Sequence, residues 1–212
     1  MAERRDVVRK LGYVGPALSV GLLTLATLID PLFSWRSRSL SSMGEATGQS
    51  LLALGSLDQL AFDAFNLGLV LAGVLGLPFL ALLWADSENR IEQVGLVFGG
   101  VTLLGSIGVA IAFLDGPFAA FHFLAALTFF FGMTFTMWTY GTGIAKRTGG
   151  EHGLGAVWLA NAHAVVWVVW IVLEGLVFTG DGDTWTYFAV PEFVGAVLFG
   201  AFVAMQARRL GT

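Results

Sequence analysis

Residues 154–178 read LGAVWLANAHAVVWVVWIVLEGLVF. The run holds a single charged residue, Glu174, and about 20 apolar residues are enough to cross the hydrocarbon core of a bilayer as a helix. Similar runs occur at 11–29, 61–84, 94–114, 118–140 and 190–207. Together they use most of the 212 residues, of which 56% are hydrophobic and 12% charged. Soluble domains carry about 25% charged residues. The expectation is an all-α integral membrane protein, one domain over 1–212, built as a bundle of about six transmembrane helices. The basic N-terminus followed by an apolar run has the look of a signal peptide. Residues 12–28 are too long for most signal sequences, however, and no clean small-residue cleavage site follows, so the run is read as a retained first helix.

The Lys and Arg residues orient the bundle. Arg4, Arg5, Arg9, Lys10, Arg90, Lys146, Arg147, Arg208 and Arg209 all fall in segments that an even number of crossings puts on one side; Arg36 and Arg38 fall on the other. Positive charge in short loops favours the cytoplasmic side. Both termini, the 86–93 loop and the 141–153 loop are therefore expected in the cytoplasm of a cell-membrane protein, with a long outer loop between helices 1 and 2. Within that loop, 51–60 has the character of an amphipathic surface segment or an extension of helix 2. The chain has no cysteine, which excludes disulfides, thiolate catalysis and cysteine–zinc sites. A net charge of -4 argues against a nucleic-acid partner. Scarce lysine and acidic loops give the chain the composition of a salt-adapted archaeon.

The outer loop and helix 2 carry a recognisable pattern. Phe33, Ser34 and Trp35 are followed by Arg36 and Arg38, then Ser39, Leu40, Ser41 and Gly44, and further on by Phe65, Asn66, Gly68, Leu69 and Gly73. This resembles the membrane family catalogued as domain of unknown function 998, with its short first helix, its "FSW … LS … G" outer loop and its "FN" early in helix 2. The resemblance implies a bundle of about six helices and a membrane location, and no established reaction. One departure is Ser42, which stands where the family pattern has an acidic residue; Glu45 follows later.

Ionisable groups inside helices are costly and usually face the bundle interior or water. By their positions, Asp63, Asn66, His122, Glu174 and Glu192 share the outer half, beneath Arg36 and Arg38. Asn161 and His163 lie in the inner half. The outer group is the candidate site: it could bind a cation, recognise a lipid headgroup or run acid–base chemistry. No His-Glu-x-x-His or Gly-x-Ser-x-Gly motif occurs. His163 sits roughly 13 Å deeper than His122 at about 1.5 Å per residue, a poor arrangement for haem ligation. Neither Lys10 nor Lys146 lies within a span, as a retinal Schiff base would need. No resident cofactor is expected, and no metal is assigned. Glycines at 95, 99, 100, 105 and 108 suit close helix packing, either within the chain or at a dimer face. The working expectation is a non-catalytic lipid-binding or accessory protein. A small-solute or ion transporter and a membrane-embedded lipid-modifying or metal-dependent hydrolase stand as alternatives. The partners expected are membrane lipid, an isoprenoid or other apolar ligand, and a second copy or a larger membrane complex.

Overall fold

A computed structural model of the chain describes residues 2–45, 52, 55–178 and 185–211. Among these, every regular element is helical: α1 (Ala2–Ile29), α2 (Leu57–Asp86), α3 (Arg90–Ile111), α4 (His122–Thr148), α5 (Glu151–Leu173) and α6 (Ala189–Arg209). Short 3-10 turns at Leu40–Gly44 and Ala119–Phe121 and a π-helical turn at Glu174–Phe178 complete the set. All six helices, with their flanking turns, are long and apolar enough to cross a membrane.

Each helix packs on the next in sequence, and α6 closes back on α1, so the six form a ring. The buried core inside it is made by residues such as Leu23, Phe65, Leu69, Phe129, Met133 and Phe202. Close packing rests on small residues. A Cβ on Gly95 would collide with the backbone of Tyr140, and one on Gly105 would come within 2.9 Å of the Phe129 nitrogen. Gly95 and Gly105 therefore let α3 and α4 approach backbone to backbone within one chain, where backbones in van der Waals contact gain dispersion energy without a hydrophobic driving force. Gly153 meets Ala145 in the same way between α5 and α4.

Most helices run further than their apolar runs. α1 starts at Ala2 rather than at residue 11, because Asp6 pairs with Arg9 and Lys10 at 2.6 and 2.8 Å, three and four residues on. The expected 86–93 loop shrinks to the short link between α2 and α3, since Asn89 caps α3 by accepting from the Glu92 N–H at 3.0 Å. The expected 141–153 loop is mostly helix. Gly141 and Gly143 are locked against α5 and Glu92, α4 continues to Thr148, and Gly149 ends it in the left-handed conformation at φ 60°. Lys146 and Arg147 thus belong to the last turn of α4. Helix α2 begins at Leu57, so the end of the expected 51–60 segment is an extension of α2; most of its first half lies outside the described residues.

Replacing Gly105 by Leu is expected to destabilise the bundle by about 2–3 kcal/mol through overpacking against α4. Gly21→Ala, where nothing lies within 4 Å, is expected to be neutral or slightly stabilising. Unfolding of both variants in detergent would check this, and equal stabilities would contradict the packing.

Candidate functional site

The described part of the loop between α1 and α2, residues 30–45, folds into a cap. Ser39 opens its 3-10 turn, its hydroxyl accepting from the Ser42 N–H at 3.2 Å while the Ser42 hydroxyl donates to the Ser39 carbonyl at 2.7 Å. Arg38 staples the loop by donating to the Ser42 carbonyl at 2.9 Å and lying 3.6 and 3.7 Å from Asp30 and Glu45. Trp35 stands edge-on between Phe33 and Phe193, with ring centres 5.2 and 5.5 Å away. Leu40 and Met43 plunge into the core. Gly44 lies against Phe65, whose ring a Cβ would meet at 3.1 Å, with the Asn66 side-chain oxygen at 3.4 Å. Phe33, Trp35, Arg38, Ser39, Leu40 and Gly44 of the loop pattern thus each have a packing or hydrogen-bonding task in seating the cap.

The cap is held from below by Glu192. This side chain is 4% exposed at the start of α6, and its Oε2 accepts the Leu40 N–H at 2.6 Å. Among the described residues Oε1 has no hydrogen-bond partner. Beneath Leu40 and Ser41 lies a narrow cleft whose other walls include Phe65, His122, Phe130 and Glu192. His122, the first residue of α4, is 8% exposed. Its Nδ1 lies 2.8 Å from the carbonyl of Ala112, the C-terminal cap of α3. A carbonyl can only accept, so Nδ1 carries the proton and a helix-end carbonyl is satisfied. In the neutral ring Nε2 is left as an acceptor, and no described residue donates to it.

The five outer candidates therefore divide. His122 and Glu192 line the cleft together. Asn66 stands behind it, its amide donating to the Phe62 carbonyl at 2.9 Å while its buried Oδ1 is unpartnered beside Gly44. Asp63 accepts from the Leu52 N–H at 2.7 Å and from Gln59 at 3.1 Å, and so tethers the loop segment ahead of α2. Glu174 accepts from the N–H groups of Trp185 and Thr186 at 2.5 and 3.0 Å. Those two bonds hold the segment entering α6, where Trp185 and Tyr187 adopt positive φ values of 67° and 58°. Non-glycine residues take such angles at a cost, and the surroundings must impose them. The carbonyl of Arg36 contributes by accepting from the Tyr187 N–H at 2.7 Å, and Trp170 donates to the Thr186 carbonyl at 2.8 Å.

The inner-half residues brace α5. Trp167 donates to His163 Nε2 at 2.9 Å, so His163 Nδ1 donates to the Thr134 hydroxyl at 2.8 Å. The ring is fully buried against Gly195 of α6, where a Cβ would fall 2.6 Å from Nε2. Asn161 accepts from the Trp138 indole at 2.7 Å. Neither residue faces the cleft.

No family model, curated protein or solved structure matches this chain.

The opposite end of the bundle holds a cluster that charge counting alone does not reveal. Arg147 reaches Glu88 at 2.7 Å, Glu92 at 3.0 Å and Asp86 at 3.3 Å. Arg209 reaches Asp86 at 2.8 Å and the Tyr140 hydroxyl at 3.1 Å, and Arg5 reaches Asp86 at 3.5 Å. Glu92 is wholly buried and also accepts from the Asn89 amide and the Glu88 N–H, at 2.6 and 3.2 Å. This clasp ties α1, α2, α3, α4 and α6. The one sequence signal for it is the Asn-x-x-Glu spacing of residues 89 and 92, a capping-box pattern. Among the described residues, no three His, Asp or Glu side chains converge as a metal site requires.

Arg147→Met is expected to cost about 3 kcal/mol or more, because it strips the buried Glu92 of its guanidinium. Glu88→Gln, at a side chain 68% exposed, is expected to cost less than about 1 kcal/mol. Similar losses in reversible unfolding would show that burial of the pair is not what matters.

Proposed function

We propose that this chain is a multi-pass membrane protein that holds a membrane amphiphile without altering it, in the cleft beneath the outer cap, as an accessory or scaffold component. The observation that carries this reading is the pairing of His122 and Glu192 at an otherwise largely apolar cleft roofed by Leu40 and Ser41. Small-molecule sites share this character of mostly apolar walls with a few convergent polar groups. Each polar side chain has one atom committed to the fold and one facing no protein donor, an arrangement suited to anchoring a headgroup. Catalysis would ask more of them. A general base needs an orienting partner, which the Ala112 carbonyl supplies to His122, and also a nucleophile or activated water beside it; no described hydroxyl bonds to His122 Nε2. Transport would ask for polar groups through the bundle. The inner polar groups His163, Thr134, Asn161 and Trp138 instead bond to one another or to Trp167.

The orientation proposed with this function puts the cap outside and the ionic clasp in the cytoplasm, with both termini. The positive-inside rule supports it, since it counts Lys and Arg rather than net charge and the clasp's acidic partners do not weaken it. The resemblance of residues 33–73 to domain of unknown function 998 supports the membrane location.

Two measurements test the reading. Because the chain has no cysteine, Ser37→Cys should react with an impermeant maleimide in intact cells and Glu151→Cys only after permeabilisation; the reverse would overturn the orientation. Protein extracted in native-lipid particles should carry a lipid adduct in native mass spectrometry. The adduct's mass should equal that of the free lipid. His122→Phe should lower its occupancy about tenfold, the scale of one lost hydrogen bond to a buried group. A wild-type protein with no retained lipid, or a chemically changed one, would sink the proposal.

A further inference from the structure

The ionic clasp consumes its own charges. Arg147, Arg209 and Arg5 are matched there by Asp86, Glu88 and Glu92, and Asp6 takes both Arg9 and Lys10. The clasp end nevertheless holds nine Lys and Arg against six Asp and Glu, in a chain whose net charge is -4. The surplus stands on helix surfaces. Arg90 opens α3, and Lys146 and Arg208 lie in the last turns of α4 and α6. All three are exposed, and no described residue pairs with any of them.

Each of these cations stands at the end of an exposed apolar stripe. At about 100° per helical residue, Arg90 shares a face with Val97, Val101 and Leu104. Lys146 shares one with Phe135 and, a turn deeper, Phe131; Arg208 shares one with Val197 and Ala201. All of these apolar side chains are exposed. From the cation to the deepest residue the stripes run roughly 16–23 Å at about 1.5 Å per residue. That is at least one leaflet's share of a hydrocarbon core about 30 Å thick. Trp84, exposed two residues before Asp86 of the clasp, marks the same level as interfacial.

A fixed cation above an apolar stripe has the outline of a lipid, with a phosphate for the cation and a chain for the stripe. An acidic soluble partner would have no use for the stripe. A zwitterionic headgroup carries its own cation beside its phosphate, whereas a headgroup of net negative charge leaves the phosphate to the protein. Arg4 supplies the contrast. It too is exposed and unpaired among the described residues, but it lies roughly 10 Å before the apolar run that begins at Leu11.

We infer that the clasp end binds anionic phospholipid at three positions. At each, the phosphate pairs with Arg90, Lys146 or Arg208 and a chain lies along the stripe of that helix. The inference rests on the helices lying in a bilayer and is independent of what the outer cleft holds.

Native mass spectrometry of delipidated full-length protein tests this, with phosphatidylglycerol titrated against phosphatidylcholine of identical chains. Phosphatidylglycerol should be retained in up to three copies where phosphatidylcholine is not. Arg90→Gln, Lys146→Gln and Arg208→Gln should each weaken one copy about fivefold, the scale of one cation near an anionic surface. The triple variant should hold both lipids alike. Arg90→Lys should behave as wild type, and Arg4→Gln should change nothing. Inorganic phosphate, which has no chain, should not compete. Equal retention of the two lipids by the wild type, or a preference that survives in the triple variant, would overturn the inference. So would a loss in Arg4→Gln equal to that in Arg90→Gln, or displacement by inorganic phosphate, since either would mean attraction by diffuse charge alone. His122→Phe should leave the preference for phosphatidylglycerol intact, so failure at this end is distinguishable from failure at the outer cleft.

Discussion

A carboxyl group placed where water cannot reach must find its hydrogen-bond partners in the protein. This bundle buries one near each end: Glu92 among the basic side chains and Glu192 beneath the cap. Much of the architecture follows from how each is satisfied. Glu92 draws Arg147 from the end of α4 and two donors from the α2–α3 link, and Arg147 in turn touches Asp86, which also holds Arg209 and Arg5. Glu192 draws a backbone N–H from the outer loop and so fixes where the loop sits. One end of the ring is locked by ion pairs among side chains. The other is closed by a chain segment seated by the burial of Leu40 and Met43 and by the Glu192 acceptor.

The two closures differ in what they leave over. At the clasp, charges of both signs are interleaved and the acidic groups are matched by guanidinia, which makes it a fastening. At the cap, one atom each of Glu192 and His122 is used and one of each is not. Two polar atoms that face one cleft with no described donor point to a ligand more directly than the ionisable groups of the clasp, which pair with one another. Asp63 and Glu174 show the complementary case. Both are acidic, both lie near the cap end of the bundle, and both spend their oxygens on protein donors, Glu174 on two backbone N–H groups and Asp63 on one backbone N–H and the Gln59 amide.

The helices themselves were legible in the chain because apolarity over about 20 residues is a local property. Their ends were not, for a physical reason. Apolar runs report the part of a helix suited to lipid, whereas the helix continues as long as its backbone can bond and its side chains can pair. Asp6 with Arg9 and Lys10 extends α1, and the fit of Gly141 and Gly143 against neighbouring helices extends α4. The glycines of α3 were visible as a spacing, but whether they faced a second copy or the same chain depended on which backbone came to lie against them. That backbone is α4, at Tyr140 and Phe129.

Sequence by itself determined the class of protein and the presence of a patterned loop, because composition and hydropathy are properties of the chain alone. It also narrowed the polar residues to a short set, since charge within an apolar helix stands out wherever the helix goes. Tertiary structure alone decided which of that set act together. Asp63, His122, Glu174 and Glu192 are chemically similar candidates until the loop is seated; only then are two of them consumed by backbone donors and two left at a shared cleft. Partnering is a matter of distances between segments far apart in sequence, such as Leu40 and Glu192, and no local pattern encodes it.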